Sequence, residues 1–266
     1  MDLGLDGKVA LVTGSYRGTG AGIARVLAAE GATVLAHGLE PGQADATAEA
    51  VTEAGGRCHA VTGNFRTENG TKALVDAVRN VVERVDIVVN NYGVPEGSDW
   101  AGSDTDSWHG SYDANVVTAV RITQAFLPDM RATGWGRVVF LSTVGATRPG
   151  DNIPEYYAAK GALPSIVVSL AKHLAGTGIT VNCVSPGVIA TPEVVERFTE
   201  RARRAGLGTD WPSVERVILD AMTNPSGRVA TPEDVGRFVA FVVGEPGWHL
   251  NGAHLRFDGG AADAVT

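Results

Sequence analysis

Thr13-Gly14-Ser15-Tyr16-Arg17-Gly18-Thr19-Gly20 directly follows an apolar run, Lys8 to Thr13, and opens a helical pattern that continues to about residue 30. A glycine-rich turn between strand and helix lets backbone N–H groups approach a pyrophosphate, and the positive end of the helix dipole adds to that attraction. Glycine spacing alone is a weak signal, and a purely structural turn is the alternative. What strengthens the nucleotide reading is the position of the turn, immediately after the first strand.

Outward from this turn, short Val-rich runs alternate with longer helical patterns. The strand candidates after the first are Thr33 to Ala36, Arg57 to Val61, Asp86 to Asn90, Arg137 to Leu141, Thr180 to Val184 and His254 to Phe257. Strands that are apolar along their whole length suit a parallel sheet covered on both faces. The expectation is an α/β chain: a doubly wound, Rossmann-type parallel sheet of about seven strands with helices on both faces, forming a single domain over residues 1–266. With 266 residues, 44% of them hydrophobic, one sizeable core is affordable without a second domain. The stretch 191–228 breaks the rhythm with a long helical insertion after a strand's carboxyl end, where ligands of such sheets bind, and it reads as a substrate lid. An ordinary pair of surface helices is the alternative.

The formal charge of −8 and a pI near 5.2 argue against nucleic acid or an anionic membrane as partner, since both demand clustered Lys and Arg. Arg201, Arg203 and Arg204 are interleaved with Glu196 and Glu200 and read as a solvated helix face. The two cysteines, Cys58 and Cys183, lie in separate apolar stretches, so reduced thiols rather than a disulfide are expected. No metal site is expected. The N-terminal Met-Asp-Leu-Gly-Leu-Asp-Gly lacks a basic and apolar leader pattern, and no window approaches a membrane span, which makes the cytoplasm the expected location.

An acidic residue at the end of the second strand would bind a ribose 2′-hydroxyl and repel a 2′-phosphate. Gly38 stands there instead, and Arg17 in the turn offers a guanidinium suited to phosphate. NADP(H) is therefore favoured over NAD(H), which stays possible through Glu40. His37 either packs near the adenosine or is a strand-end histidine without a ligand role.

Tyr156-Tyr157-Ala158-Ala159-Lys160 begins a helical pattern running to about Ala175. Residues four apart share a helix face, so Tyr156 and Lys160 project together. An ammonium beside a phenol stabilises phenolate and lowers its pKa toward a useful range, so the pair is a sensible acid/base unit. Tyr157 is left as packing or a substrate contact.

Taken with the turn, with Asn90-Asn91-Tyr92-Gly93, Asn115, Pro186-Gly187-Val188-Ile189-Ala190-Thr191 and Asp258-Gly259-Gly260, this pair makes the sequence resemble the short-chain dehydrogenase/reductase family over almost its whole length. The resemblance implies Tyr156 as general acid or base, Lys160 as the group that tunes it and holds the nicotinamide ribose, and Asn115 as the anchor of a water leading protons to the lysine. It implies cofactor contacts at Gly14, Ser15, Tyr16, Arg17, Gly18, Thr19 and Gly20, at Gly38, at Asn64 and Phe65 beside the adenine, and at Asn91, Tyr92 and Gly93. Tyr156 and Lys160 themselves, then Pro186, Gly187, Val188 and Thr191 at the nicotinamide, complete the set. The family usually places a serine thirteen residues before the tyrosine; here that residue is Thr143. Thr143 is preferred for polarising the substrate oxygen, with the adjacent Ser142 as the alternative.

The function expected is hydride transfer between a nicotinamide cofactor and a small-molecule carbonyl or secondary alcohol. An NADP(H)-binding sensor with weak or no catalysis is the alternative. Epimerases and dehydratases with the same Tyr and Lys fit less well, because a different glycine spacing and a larger C-terminal domain usually accompany them. Apolar residues on more than one face of the helical patterns at 112–131 and 156–175 suit burial against both sheet and neighbour, and the resemblance implies a homotetramer or homodimer through them.

Overall fold

The apolar runs become β1 (Val9–Val12), β2 (Thr33–Gly38), β3 (Arg57–Thr62), β4 (Ile87–Asn90), β5 (Gly136–Leu141), β6 (Ile179–Pro186) and β7 (His254–Phe257). In the computed structural model, which describes residues 1–222 and 224–263, they form one sheet of seven strands in the order β3-β2-β1-β4-β5-β6-β7. Thr223, inside the 191–228 insertion, and residues 264–266 lie outside the described residues. Every neighbouring pair is parallel, with Val9 opposite Thr33 and Ala10 opposite Ile87. The doubly wound sheet expected from the sequence is thus the one observed. Because β1 lies between β2 and β4, the chain winds away from it in both directions, which opens a crevice beyond the carboxyl ends of β1 and β4.

Alternation along each strand sends successive side chains to opposite faces. Leu11, Leu35, Val88, Val138 and Phe140 pack under α3 (Glu68–Arg79), α5 (Thr118–Thr133) and α6 (Pro154–His173), against Leu74, Ile122, Phe126, Leu163 and Val167. Ala10, Val12, Val34, Ile87, Val89 and Val139 pack under α1 (Gly18–Ala29), α2 (Asp45–Glu53) and α9 (Pro232–Val243), against Ile23, Leu27, Val51, Val235 and Val239. Each fully buried Leu, Ile, Val or Phe contributes on the order of 1.5–3 kcal/mol.

Two features bear on the crevice. The pattern at 112–131 predicts one regular helix, but α4 (Thr105–Tyr112) and α5 are joined by a π turn over Asp113–Val117 that contains Asn115. Such a widened turn re-aims the side chains it carries. The insertion at 191–228 contains α7 (Pro192–Arg204) and α8 (Trp211–Ala221), which share a small core of Phe198, Ala202, Val214, Val217, Ile218 and Val229. Among the described residues, no helix is long and apolar enough to cross a membrane.

The turn that starts α1 is held in place from behind by α9. A Cβ on Gly22 would lie 2.4 Å from the Cβ of Pro232, and one on Gly236 would lie 2.9 Å from the carbonyl oxygen of Gly22, so the two helices approach to backbone contact. Gly22→Val should therefore lower stability by about 1–3 kcal/mol through overpacking, measured by urea unfolding. An unchanged midpoint would mean that α9 can shift away freely.

Candidate active site

The glycine-rich turn is shaped by two residues in the left-handed region, Gly14 (φ +62°) and Gly18 (φ +55°), which no side chain tolerates easily. At Gly20 the reason for glycine is space: a Cβ would lie 2.5 Å from Asn91 Nδ2 and 2.6 Å from the Gly14 carbonyl oxygen. No side chain caps α1, so its first-turn amides are left for an anion. Arg17 stands exposed at this end, 5.2 Å above the ring of Tyr16 and paired with Glu193 of α7 at 3.0 Å.

Ser15 faces away from the crevice. Its hydroxyl donates to the Val12 carbonyl (2.7 Å) and accepts from His37 N–H (2.9 Å), while its own N–H goes to the His37 carbonyl (3.0 Å). Both donors of Ser15 are thus used within the protein. His37 is likewise committed: Nδ1 accepts from Gly14 N–H (3.1 Å) and Nε2 donates to the Gly63 carbonyl (2.9 Å). It stitches together the ends of β1, β2 and β3, and burial pushes its pKa down to about 4, so it stands neutral. Of the two roles left open for His37, the structure gives the one without a ligand. Phe65 is also buried, its ring 4.8 Å from that of His37 and 5.1 Å from that of Tyr92. Asn64 is exposed on the same loop, with its Oδ1 3.4 Å from Arg66 N–H. Beside Gly38 the side chain of Gln43 fills the space a Cβ would need and accepts the Leu39 N–H at 2.7 Å. Glu40 is exposed beyond it.

Across the crevice, Asn91 donates to the carbonyls of Thr13 (2.9 Å) and Gly14 (3.2 Å), and Tyr92 N–H donates to the Thr13 hydroxyl (3.1 Å). These bonds lock the end of β4 to the turn. Asn90, by contrast, is buried and donates to Thr123 of α5. Gly93 gives room to the next layer: a Cβ there would lie 2.7 Å from Lys160 Nζ and 2.9 Å from Asn115 Oδ1. Asn115 in turn accepts from Val94 N–H and donates to Ser111 O, both at 2.9 Å.

Tyr156, Lys160, Thr143 and Ser142 line a single cavity of about 630 Å³, together with Thr19, Asn91, Gly93, Pro186, Gly187, Val188 and Thr191. Lys160 is buried and donates to the Leu141 carbonyl at 2.9 Å. Burial lowers its pKa to about 8 and raises that of Tyr156 to about 12, with the neighbouring Tyr157 adding to the latter. At the tyrosine loss of solvation dominates, opposite in direction to the effect expected of Lys160. The two hydroxyls at the end of β5 differ. Ser142 Oγ donates to Lys160 O (2.8 Å), whereas Thr143 Oγ1 accepts from Gly145 N–H (3.3 Å) and keeps its proton free.

The rim carries residues that the sequence motifs do not identify. Asn152 and Pro95 line the cavity beside Ile153, Val194, Arg197 and Met222, and Tyr157 donates to Asn152 Oδ1 at 3.1 Å. A second hollow of about 390 Å³ continues from it through Thr143, Tyr157, Val188 and Met222. Asn152 and Pro95 lie in loops with no periodic signal, and only the fold brings them to the tyrosine. The model of the short chain dehydrogenase family matches residues 8–202.

The chain belongs to the short-chain dehydrogenase family.

Relatives in this family include the D-beta-hydroxybutyrate dehydrogenase of Cupriavidus necator, 30% identical with 96% of this chain and 98% of the relative covered. The 3-oxoacyl-(acyl-carrier-protein) reductase of Aquifex aeolicus is also 30% identical, covering 98% and 99%. Among solved structures, L-sorbose reductase from Gluconobacter frateurii, complexed with NADPH and L-sorbose, superposes with a TM-score of 0.91 at 30% identity over 100% of both chains. As a short-chain dehydrogenase the protein is an NAD(P)-dependent oxidoreductase.

The His37 stitch has a stability consequence. Its pKa is depressed from 6.5 to about 4, so the neutral ring stabilises the fold fully above pH 6.5, and this contribution is lost as pH falls toward 4. The loss is on the order of 3 kcal/mol. His37→Gln should flatten the decline in urea midpoint over that window; an identical decline in both proteins would assign the acid sensitivity elsewhere.

Proposed function

We propose that this short-chain dehydrogenase uses NADP(H) to interconvert a small-molecule carbonyl and its secondary alcohol, with Tyr156 moving the proton. The observation that carries the reading is the convergence of Tyr156, Lys160 and Thr143 on one cavity beside the glycine-rich turn. The open first-turn amides of α1 suit a pyrophosphate, and the space kept at Gly93 leaves Lys160 beside the backbone where a ribose would lie. Bound nicotinamide supplies or accepts the hydride.

Thr143 is the hydroxyl that polarises the substrate oxygen, because Ser142 has already given its proton to Lys160 O. At neutral pH the raised phenol and a lysine with pKa about 8 stand as neutral Tyr156 and charged Lys160. That is the protonation state for reduction: Tyr156 O–H donates to the carbonyl oxygen, and the nearby ammonium stabilises the phenolate left behind. Oxidation needs the phenol to lose its proton first and is favoured at higher pH.

Arg17 takes the 2′-phosphate of the cofactor, and the absence of an acid at Gly38 leaves nothing there to repel it. Residues 191–228 act as the lid, α7 bringing Val194 and Arg197 over the cleft. Two or four copies associate through α5 and α6, whose Val120, Leu127, Ile166 and Leu170 line an open apolar groove of about 510 Å³.

Parallel fluorescence titrations with NADPH and NADH test the cofactor: tighter NADPH binding, weakened at least about tenfold in Arg17→Ala with NADH unaffected, is the expected result. Turnover of a carbonyl panel should fall about 10²–10⁴-fold in Tyr156→Phe with cofactor affinity retained, and reductive kcat/KM should decline above about pH 8 as Lys160 loses its proton. Cofactor binding without turnover by the wild type would favour a sensor instead. Sedimentation should give a dimer or tetramer that Ile166→Glu dissociates; a monomeric wild type would refute the association.

A further inference from the structure

Arg17 precedes α1 on extended backbone (φ −161°), and its side chain makes no capping hydrogen bond to the helix. Its Nη1 lies 3.0 Å from Oε1 of Glu193 in the first turn of α7, and the two side chains are 62% and 49% exposed. Among the described residues, neither group is in any other ion pair. An exposed pair of this kind shifts an equilibrium by a factor of only about 1.4–5. A phosphate offers the same guanidinium a stronger, bidentate partner.

The start of α7 is anchored independently of this pair. Ala190 N–H donates to the Ala230 carbonyl (2.8 Å), Ile189 and Ala230 form a parallel bridge, and Thr191 Oγ1 accepts from Val194 N–H (3.4 Å). A Cβ on Gly18 would lie 3.5 Å from Thr191 Cγ2, so turn and insertion are neighbours there. Backbone contacts thus present Glu193 to the turn, and the N-terminus of its own helix stabilises its charge whether or not Arg17 stays. Arg197, four residues on, shares its helix face; the guanidinium lies 5.0 Å above the ring of Phe198 and is in no ion pair among the described residues. Glu193 therefore has a second cation on α7 to turn to when Arg17 leaves.

We propose that Glu193 is a specificity-determining residue for the cofactor: it competes with the 2′-phosphate for Arg17, and capture of Arg17 by the phosphate unfastens α7 from the glycine-rich turn. The proposal rests on the reading of Arg17 as the ligand of that phosphate. NAD(H), which lacks the phosphate, leaves the pair between Arg17 and Glu193 made, so the two cofactors bind beneath differently fastened lids. The coupling is reciprocal: a change that frees Arg17 from Glu193 raises affinity for the 2′-phosphate and leaves the rest of the cofactor unaffected.

Glu193→Gln keeps the size of the side chain and removes its charge, and at an exposed position it should leave the melting temperature unchanged. Fluorescence titration should show NADPH affinity raised about 2–5-fold and NADH affinity unaltered. Calorimetric titration should give the same gain for adenosine 2′,5′-bisphosphate and none for 5′-AMP, which carry the two phosphate patterns without a nicotinamide. In an Arg17→Ala background the gain from Glu193→Gln should disappear, because no guanidinium is left to release. Amide hydrogen exchange over residues 197–204 should be faster in the wild type with adenosine 2′,5′-bisphosphate than with 5′-AMP, and as fast in Glu193→Gln without either.

An unchanged NADPH affinity in Glu193→Gln, or an equal gain for NADH, would overturn the competition. So would a gain that survives in the Arg17→Ala background, which would assign it to direct repulsion between Glu193 and the cofactor. Exchange over α7 that Glu193→Gln leaves unaltered would overturn the link to the lid. Failure of the underlying reading has its own signature: Arg17→Ala alone would then leave NADPH binding as it is, whereas failure of the competition leaves the loss in Arg17→Ala intact.

Discussion

Almost everything at the active centre depends on keeping one ammonium buried at the edge of the cleft. Lys160 is buried, and burial lowers its pKa to about 8. It is retained because β5 ends beside it: the Leu141 carbonyl accepts from Nζ, and the next residue, Ser142, returns a hydrogen bond to the lysine's own carbonyl. The same two contacts fix the register between α6 and β5, so the positions of Tyr156 and Thr143 follow from those of Lys160 and Ser142. Gly93 and Asn115 close the other side. Replacing any of these groups moves several at once.

The glycine-rich turn is held by a different kind of constraint. Its conformation is set by positive φ at Gly14 and Gly18, but its position relative to β2 and β3 is set by a neutral histidine and a serine hydroxyl buried beneath it. Stability and binding are consequently coupled there. The hydrogen bonds that rigidify the turn use both donors of Ser15, while the amides farther along, at the start of α1, remain for a ligand. Arg17 adds a connection to the insertion, since its ion pair with Glu193 links turn and α7 across the mouth of the cleft. Both partners are exposed, so this pair is worth little to stability and is easily exchanged for another anion.

Local pattern was enough to read much of this in the sequence. The strands are short apolar runs, the turn is a contiguous motif, and Tyr156 and Lys160 are related by helix geometry alone, so the parallel sheet, the nucleotide end and the tyrosine-lysine face were all legible. What was not legible depends on contacts far apart in the chain. His37 is a plausible nucleotide neighbour until Gly14 and Gly63 are seen to hold both its nitrogens. Ser142 and Thr143 differ only in which of two neighbouring side chains the end of β5 turns inward. The π turn at Asn115 leaves no periodic trace that distinguishes it from a regular helix, and the lysine's effect on the phenol could not be weighed against burial before the burial was known.

The first two turns of α6 divide their polar side chains between two sides of one loop. On a helix, successive residues point about 100° apart, whereas residues four apart nearly coincide. Tyr156 and Lys160 therefore share the cleft, while Glu155, one position earlier, is turned toward a smaller chamber on the far side of the Gly93–Gly97 loop. Fewer than two turns of helix place a carboxyl group, a phenol and an ammonium in two compartments separated by the Gly93–Gly97 loop. Had the acid stood four residues from the tyrosine, it would share the cleft with substrate and repel a developing oxyanion. At one residue's remove it is screened from the substrate, and that offset follows from helix geometry before any tertiary contact is made.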